Sequence, residues 1–373
     1  MNPNEILEQI HEKAIKSIET SVIEDHIIRE KIEFVCKCLG NRAGVRLLMA
    51  CMLGKLHNPI VDPRNPYTEI GGDYSFSGRT YDERYLTTFI NKYQLPCNPT
   101  TAFLTPTLRN HSGPLTTEIE LVGRPRELYK KTLEVLEEVA EGRIAPDLVL
   151  IEVVRTLLMM GEENRRRMSS LLEAMKRNDD ALPLSSEAII VLLQQHLACK
   201  NSSRLPVLMV AAAYESGGKH FGEVHRSLLS HNAADLQTGS IGDVEICLVG
   251  DDAVVTSYEM KMKRVTLEDI DAAVVKISRS ETRIDNYIFI TTDVIDPLVA
   301  EYAGSFYEKT AGTEIAVLDC IGFVRHFLHL FHRYRLEFLK NYQELVLVEP
   351  DSAVSQSLKE AFLVLRKVAE TGE

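Results

Sequence analysis

The chain has 373 residues, 45% hydrophobic and 26% charged, which is enough to bury one or two substantial cores and excludes both intrinsic disorder and a disulfide-stapled miniprotein. Against 54 Asp and Glu stand 42 Lys and Arg, a formal charge of -12, so whole-surface attraction to nucleic acid or anionic membrane is excluded and any polyanion site is local. Seven Cys without a CxxC pair read as reduced, buried thiols. The segment MNPNEILEQIHEK lacks the layout of a signal peptide, and no apolar run approaches the ~18 residues of a membrane helix, so a soluble, cytoplasmic protein is expected.

From Glu5 to about Leu56, apolar residues recur at helical spacing, as in Ile15, Ile18, Val22 and Ile28, Ile32, Val35, which predicts two or more helices. His57 to Pro114 holds seven prolines and four glycines and reads as an ordered, loop-rich surface segment. Helical periodicity returns at Arg126–Gly142 and from Ala145 to Cys199, with Gly161 and Asp179–Pro183 as connections. Beyond residue 200 the predicted elements are a helix at Leu205–Glu215, strands at Asp243–Val249 and Ala253–Lys263, a capped helix at Thr266–Ile277, a strand at Tyr287–Thr291, a helix at Pro297–Tyr307, a strand at Glu314–Leu318, then long helices. The order α-β-β-α-β-α-β points to a mixed sheet covered by helices.

The strand Ala253–Lys263 places Tyr258, Met260 and Met262 on one face and Glu259, Lys261 and Lys263 on the other. In the strand before it, Asp243 and Glu245 alternate with Val244 and Ile246. With Gly250-Asp251-Asp252 as a three-residue hairpin loop, Val249 pairs with Ala253 and Asp243 falls opposite Glu259. A two-residue loop would put Asp243 opposite Met260 and turn the two acids to different faces. Carboxylates ~4.5 to 5.5 Å apart repel unless a cation lies between them, and Mg2+ takes one or two carboxylates together with waters and phosphate oxygens. Lys261 could orient or deprotonate the attacking water, or stabilise charge on a phosphate. Nowhere else in the chain does an acid stand two positions before Lys. The alternative is an exposed sheet face with a cross-strand salt bridge.

Gly242-Asp243 followed after a hairpin by Glu259-Met260-Lys261 resembles the core motif of the PD-(D/E)XK nucleases. The segments DPRNPYTEIGGDYSFSGRTYDERYLTTFI, LPCNPTTAFLTPTLRN, HNAADLQTGSIGDVEICL, YEMKMKRVT and IGFVRHFLHLFHRYR resemble the SacI family of type II restriction endonucleases, over residues 41 to 365. The resemblance implies an α/β mixed-sheet restriction-endonuclease-like core, residues 201–345, joined to a large, mostly α-helical region, residues 1–200, that recognises DNA. A carboxyl-terminal helix, 346–373, is expected to pack on the core. It further implies Mg2+-dependent, site-specific hydrolysis of duplex DNA in defence against foreign DNA. Asp243, Glu259 and the Met260 main-chain carbonyl would bind the metal, and Lys261 would be the catalytic lysine. Gly242 stands where that motif usually has Pro. Glu215 and Glu245 are candidate additional acids. A homodimer is expected on palindromic DNA, as is a cognate DNA methyltransferase as functional partner. The alternatives are a structure-specific or repair DNA nuclease, and a catalytically inactive DNA-binding protein of the same fold.

Asn41, Arg42, Arg46, Arg79, Arg84 and Arg109 have side chains suited to phosphate and base contacts, and Lys263 and Arg264 extend the active strand. His326, His329 and His332 spread over a helix turn and read as packing; Pro146-Asp147 reads as a helix start, and Arg165-Arg166-Arg167 as a solvated face. His231-Asn232 resembles part of an HNH nuclease without a second His arrangement. No GxxxxGK[ST] or GxGxxG loop is present.

Overall fold

In the computed structural model, which describes residues 2–38, 40–98, 101–176, 183–228, 240–280 and 283–371, the chain divides into two compact units, Met1–Arg167 and Met168–Glu373. The first is helical. Asn2 and Glu5 form a capping box that starts α1 (Pro3–Lys16), and Asp25 accepts two amides at the start of α2 (His26–Lys37). Helix α3 (Ala43–His57) is apolar on nearly every side and is buried from Ala43 to Gly54, as such a helix must be. Three short helices follow: α4 (Gly78–Tyr81), α5 (Thr87–Lys92), with a π-helical turn at Asp82–Leu86 between them, and α6 (Pro106–Arg109). Helix α7 (Arg126–Ala140) closes the core with Leu128, Leu133 and Leu136.

Arg46, expected among the DNA contacts, belongs to this core. Its side chain and that of Asp82 are both 0% exposed and form an ion pair, with Arg46 Nε 2.7 Å from Asp82 Oδ1. The guanidinium also donates to the Asp82 and Asn98 carbonyls and to Thr87 Oγ1. Its neighbours Val45, Leu47 and Leu48 are fully buried, so the helix carries Arg46 inward with them.

Helix α8 (Pro146–Lys176) runs unbroken through Gly161, because the strong helix formers around that glycine outweigh its cost of about 1 kcal/mol. The division between units falls inside α8. Helix α9 (Ser186–Leu197), assigned from sequence to the amino-terminal region, packs in the second unit, where Ile189, Ile190 and Leu193 join the core under the sheet. Asp179–Ala181 and Leu182, in the expected connection, lie outside the described residues, as does His231-Asn232.

The second unit continues with α10 (Leu205–Phe221), β1 (Glu223–His225), β2 (Val244–Leu248), β3 (Val254–Lys261), α11 (Leu267–Ser278), β4 (Asn286–Thr291), α12 (Pro297–Gly304), β5 (Glu314–Asp319), α13 (Cys320–Leu330), α14 (Arg335–Val348) and α15 (Gln356–Thr371). The expected alternation of strands and helices holds, with β1 added at the sheet edge. The five strands lie in chain order; β1–β2 and β2–β3 are antiparallel, β3–β4 and β4–β5 parallel. Each parallel pair is joined by one helix, α11 or α12, as a crossover requires.

Both sheet faces are covered. Val244, Ile246, Tyr258 and Ile290 pack with α9, α10, α13 and α14, while Tyr287, Phe289 and Ile315 pack with Ile270 and Ala273 of α11 and Val299 of α12. Tyr287 and Phe289 are fully buried, each burial stabilising by roughly 1.5–3 kcal/mol. The face carrying Glu259 and Lys261 is therefore roofed by α11 rather than open to solvent.

The hairpin differs in detail from its expected form. Val249–Ala253 is a five-residue connection, held by Asp251 N–H to Leu248 O and Ala253 N–H to Asp251 Oδ1. Cys247 faces Val254, and a bulge between Ile246 and Cys247 then restores the register that puts Val244 opposite Tyr258. Strand β3 ends at Lys261, so Lys263 and Arg264 do not extend it; they lie exposed in the bend that follows.

Candidate active site

The site forms where β2 begins beside the end of β3. Asp243 is the residue before β2, and the ladder stops at Val244–Tyr258, so Asp243 does not pair with Glu259 through the backbone. Its N–H donates to the Tyr258 carbonyl at 2.7 Å, and its Oδ2 accepts the Met260 N–H at 2.7 Å. The carboxylate thus takes the place of the missing β2 residue opposite Met260. Because a residue's N–H and C=O leave a strand on the same side, the Met260 carbonyl leaves β3 on the β2 side as well.

Gly242 makes this approach possible. A Cβ at that position would stand 2.4 Å from Ser257 Oγ and 2.6 Å from the Tyr258 carbonyl oxygen. The Pro expected from the motif, or any residue with a side chain, does not fit against β3 there.

Glu259 points to the α11 face, one residue from Tyr258, which faces α10 through a 2.9 Å contact between the Tyr214 and Tyr258 hydroxyls. Its side chain is 16% exposed, and both its oxygens carry donors. Lys261 Nζ lies 2.8 Å from Oε1, Lys276 Nζ lies 2.9 Å from Oε2, and the Tyr287 hydroxyl also donates to Oε2. Burial works against ionisation of Glu259, but the hydrogen bonds from Lys261, Tyr287 and Lys276 outweigh it and hold the carboxyl below its ordinary value.

Lys261 bridges two acids, since its Nζ is also 2.9 Å from Asp269 Oδ1. Burial alone would lower its pKa, yet the bonds to Glu259 and Asp269 hold it above the ordinary lysine value. The ammonium form suits stabilising negative charge and opposes removal of a proton from water. Asp269 is fixed in turn: its Oδ2 accepts the Thr266 amide at 2.9 Å and the Thr266 hydroxyl at 3.1 Å in the cap of α11.

Lys276, Asp269 and Tyr287 were missed from sequence. Asp269 and Lys276 stand seven residues apart, two turns along one helix face, and that face flanks the buried Ile270 and Ala273. Their spacing puts the two on one helix face, but which strand residues that face meets is set by the crossing of α11 over the sheet.

Glu215 and Glu245 are not brought to Glu259. Glu215 sits inside α10, on the opposite sheet face, 3.3 Å from His225 Nε2 of β1. Glu245 accepts from Ser240 Oγ and the Ile241 amide at Oε1 and pairs with Arg226 at 3.2 Å through Oε2, so it clasps the turn leading into β2. Among the other candidates, Asn41 caps α3 through the Ala43 amide and donates to the Arg124 carbonyl, which gives it a structural task. Arg79 pairs with Glu83, Arg84 lies over the Tyr85 ring, and Arg109 is exposed; Arg42 is half-buried. All of these belong to the first unit, and the acids and Lys261 to the second. His329 pairs with Glu187, and Arg165 and Arg166 pair with Glu162 at the surface.

The donors offered by Asp243, Glu259 and the Met260 carbonyl are all oxygen, which fits a hard divalent ion. Among the described residues no three His, Cys, Asp or Glu side chains gather into a metal-holding group, and no helix is long and apolar enough to cross a membrane. The chain matches no protein-family model and no curated protein.

Proposed function

We propose that the protein is a Mg2+-dependent type II restriction endonuclease of the SacI family, hydrolysing phosphodiester bonds at a specific sequence of double-stranded DNA. The observation that carries the proposal is the meeting of Asp243, the Glu259–Met260 peptide and Lys261 at one end of the β2–β3 pair. Asp243, Glu259 and the Met260 carbonyl would hold the ion, which when bound neutralises phosphate charge and acidifies a water. Lys261, kept protonated by its two acids, places positive charge where a pentavalent phosphate would gather negative charge. Arg79, Arg84, Arg109, Lys263 and Arg264 remain the side chains suited to phosphate contacts. A two-fold dimer matching a palindromic site, and a methyltransferase protecting that site, belong to the same proposal.

Plasmid digestion with and without Mg2+ tests it. Discrete linear fragments are expected, with Asp243→Ala, Glu259→Ala and Lys261→Ala each lowering the rate by on the order of 100- to 1000-fold while folding is kept. Turnover near that of the wild type in any of the three overturns the assignment. Cutting confined to branched or single-stranded DNA would make the protein a structure-specific nuclease instead.

A further inference from the structure

On the sheet face that carries Tyr258, away from Glu259, the second unit holds a cavity of about 170 Å3. Tyr214 and Phe221 line it from α10, Phe323 and His326 from α13, Phe331 from just beyond α13, and Glu223 from β1. Gly217 gives the rings room on α10, since a Cβ there would stand 2.8 Å from the Phe221 ring and 3.2 Å from the Phe327 ring. Phe221 and Phe331 then meet with centroids 4.7 Å apart, and Phe323 packs edge-on against Tyr258 at 6.0 Å. Phe221 is 45% exposed, so the cavity opens to water beside it. Nearby acids are matched by the chain's own cations: Glu215 by His225 at 3.3 Å and Glu245 by Arg226 at 3.2 Å. Glu223 differs. Among the described residues it has no hydrogen-bond or ion-pair partner, and burial, with no cation beside it, holds its carboxyl above the ordinary value. A half-buried carboxylate against the negative faces of aromatic rings is unfavourable, and one positive charge would satisfy both.

We propose that this cavity binds a small organic cation, an aliphatic primary amine of roughly six heavy atoms, with its ammonium on Glu223 and its apolar part among Phe221, Phe323 and Phe331. Size sets the upper limit: drug-sized ligands take ~300–1,000 Å3, and at the ~30 Å3 that a water occupies in the liquid this space holds roughly six such units. Ring-lined walls offer a metal ion too few oxygen donors, and Glu223 repels an anion. His326, in its neutral form, offers the ammonium a second acceptor. None of these side chains belongs to the group around Glu259, so the inference stands apart from the nuclease reading.

The full chain is titrated with isopentylamine, with isopentyl alcohol as its neutral isostere and with the anion isovalerate, each followed through the ligand's own proton resonances. The amine should bind about tenfold more tightly than the alcohol, the factor expected of one charge-assisted hydrogen bond, and isovalerate should not bind. Glu223→Gln should weaken the amine about tenfold and leave the alcohol unchanged. That variant removes a charge without a partner among the described residues, so its thermal midpoint should be no lower than that of the wild type. Phe221→Leu keeps an apolar wall but removes a ring face, and should weaken the amine about threefold while sparing the alcohol. Amine and alcohol binding alike to the wild type, or amine affinity unchanged by Glu223→Gln, overturns the proposal. Absence of amine binding at about 10 mM overturns it equally.

Discussion

Replacing Arg46 by Met separates a structural role from a DNA contact. Arg46 and Asp82 are both completely buried, and the guanidinium donates to the Asp82 carboxylate, two carbonyls and Thr87 Oγ1. Removing it leaves a buried carboxylate with only the Thr101 hydroxyl and the Ala102 amide, each 2.7 Å from Oδ2. A buried pair broken at one partner costs about 3–5 kcal/mol, a large part of the stability of any domain. Burial already holds the Asp82 carboxyl above its ordinary value in spite of Arg46, and without Arg46 it rises further. The folded variant then takes up a proton at a higher pH than the unfolded chain does, so its stability should increase as pH falls through the carboxyl range. Arg46→Met with Asp82→Leu should recover most of the loss, because an apolar replacement of a buried pair is often neutral. Urea denaturation followed by far-ultraviolet circular dichroism would show the midpoint fall at constant slope. For the duplex binding that the proposed function requires, the salt dependence should not change, whereas loss of a phosphate contact would lower its slope by about one. A stability loss below ~1 kcal/mol together with a reduced salt slope would refute the buried-pair argument and make Arg46 a phosphate contact of the proposed nuclease.

Two further outcomes follow from the second unit. Gly242→Ala should cost about 1–3 kcal/mol and move Asp243 off the Met260 amide, since the added Cβ meets the Tyr258 carbonyl at 2.6 Å; Ser257→Ala should fail to rescue it, and a double variant melting and cutting like the wild type would contradict the packing argument. His196 is fully buried between the Tyr342 hydroxyl and the Leu358 carbonyl, and burial pushes its pKa from 6.5 down to about 4. The unfolded chain therefore binds the proton first, so stability should fall by on the order of 3 kcal/mol as pH drops from 6.5 toward 4. His196→Gln should flatten that part of the pH–stability curve, and an unaltered curve would exclude His196 as its source.

The alternation of Tyr258 and Met260 with Glu259 and Lys261 was legible because period-two patterning survives any tertiary context. The register was reached through a wrong loop: the five-residue connection and the bulge at Ile246–Cys247 compensate, and neither leaves a mark in composition. Helix α10 runs to Phe221, past the end at Glu215 that the sequence predicts, and its Gly217 and Gly218 do not stop it. Gly218 admits a close approach of β1, where a Cβ would stand 2.4 Å from the Glu223 carbonyl oxygen. Arg46 misled because a lone charge beside a helix start suggests a surface, although the unbroken apolar run Leu47 to Leu53 predicts burial on every side. Lys276 stayed hidden for a simpler reason: its distance from Glu259 depends on how α11 crosses the sheet, and local spacing carries no record of that crossing.

Under the proposed function, charge decides the order in which this site fills. Among the described residues, Asp243, Glu259 and Asp269 set three negative charges against the two of Lys261 and Lys276, in a protein already at -12. A phosphate approaching that arrangement meets one excess negative charge. A divalent ion turns the balance to one excess positive charge, at a short range where screening by salt is weak. The free site should repel DNA mildly and the loaded site attract it. Ca2+ should accordingly strengthen binding of a duplex to the wild-type chain, measured by fluorescence anisotropy. Asp243→Ala and Glu259→Ala should bind the duplex more tightly than the wild type without metal, because each removes one of the repelling charges, and neither should gain further affinity from Ca2+. Weaker metal-free binding by either variant would mean that its carboxylate organises the DNA surface directly, and the charge argument would fail.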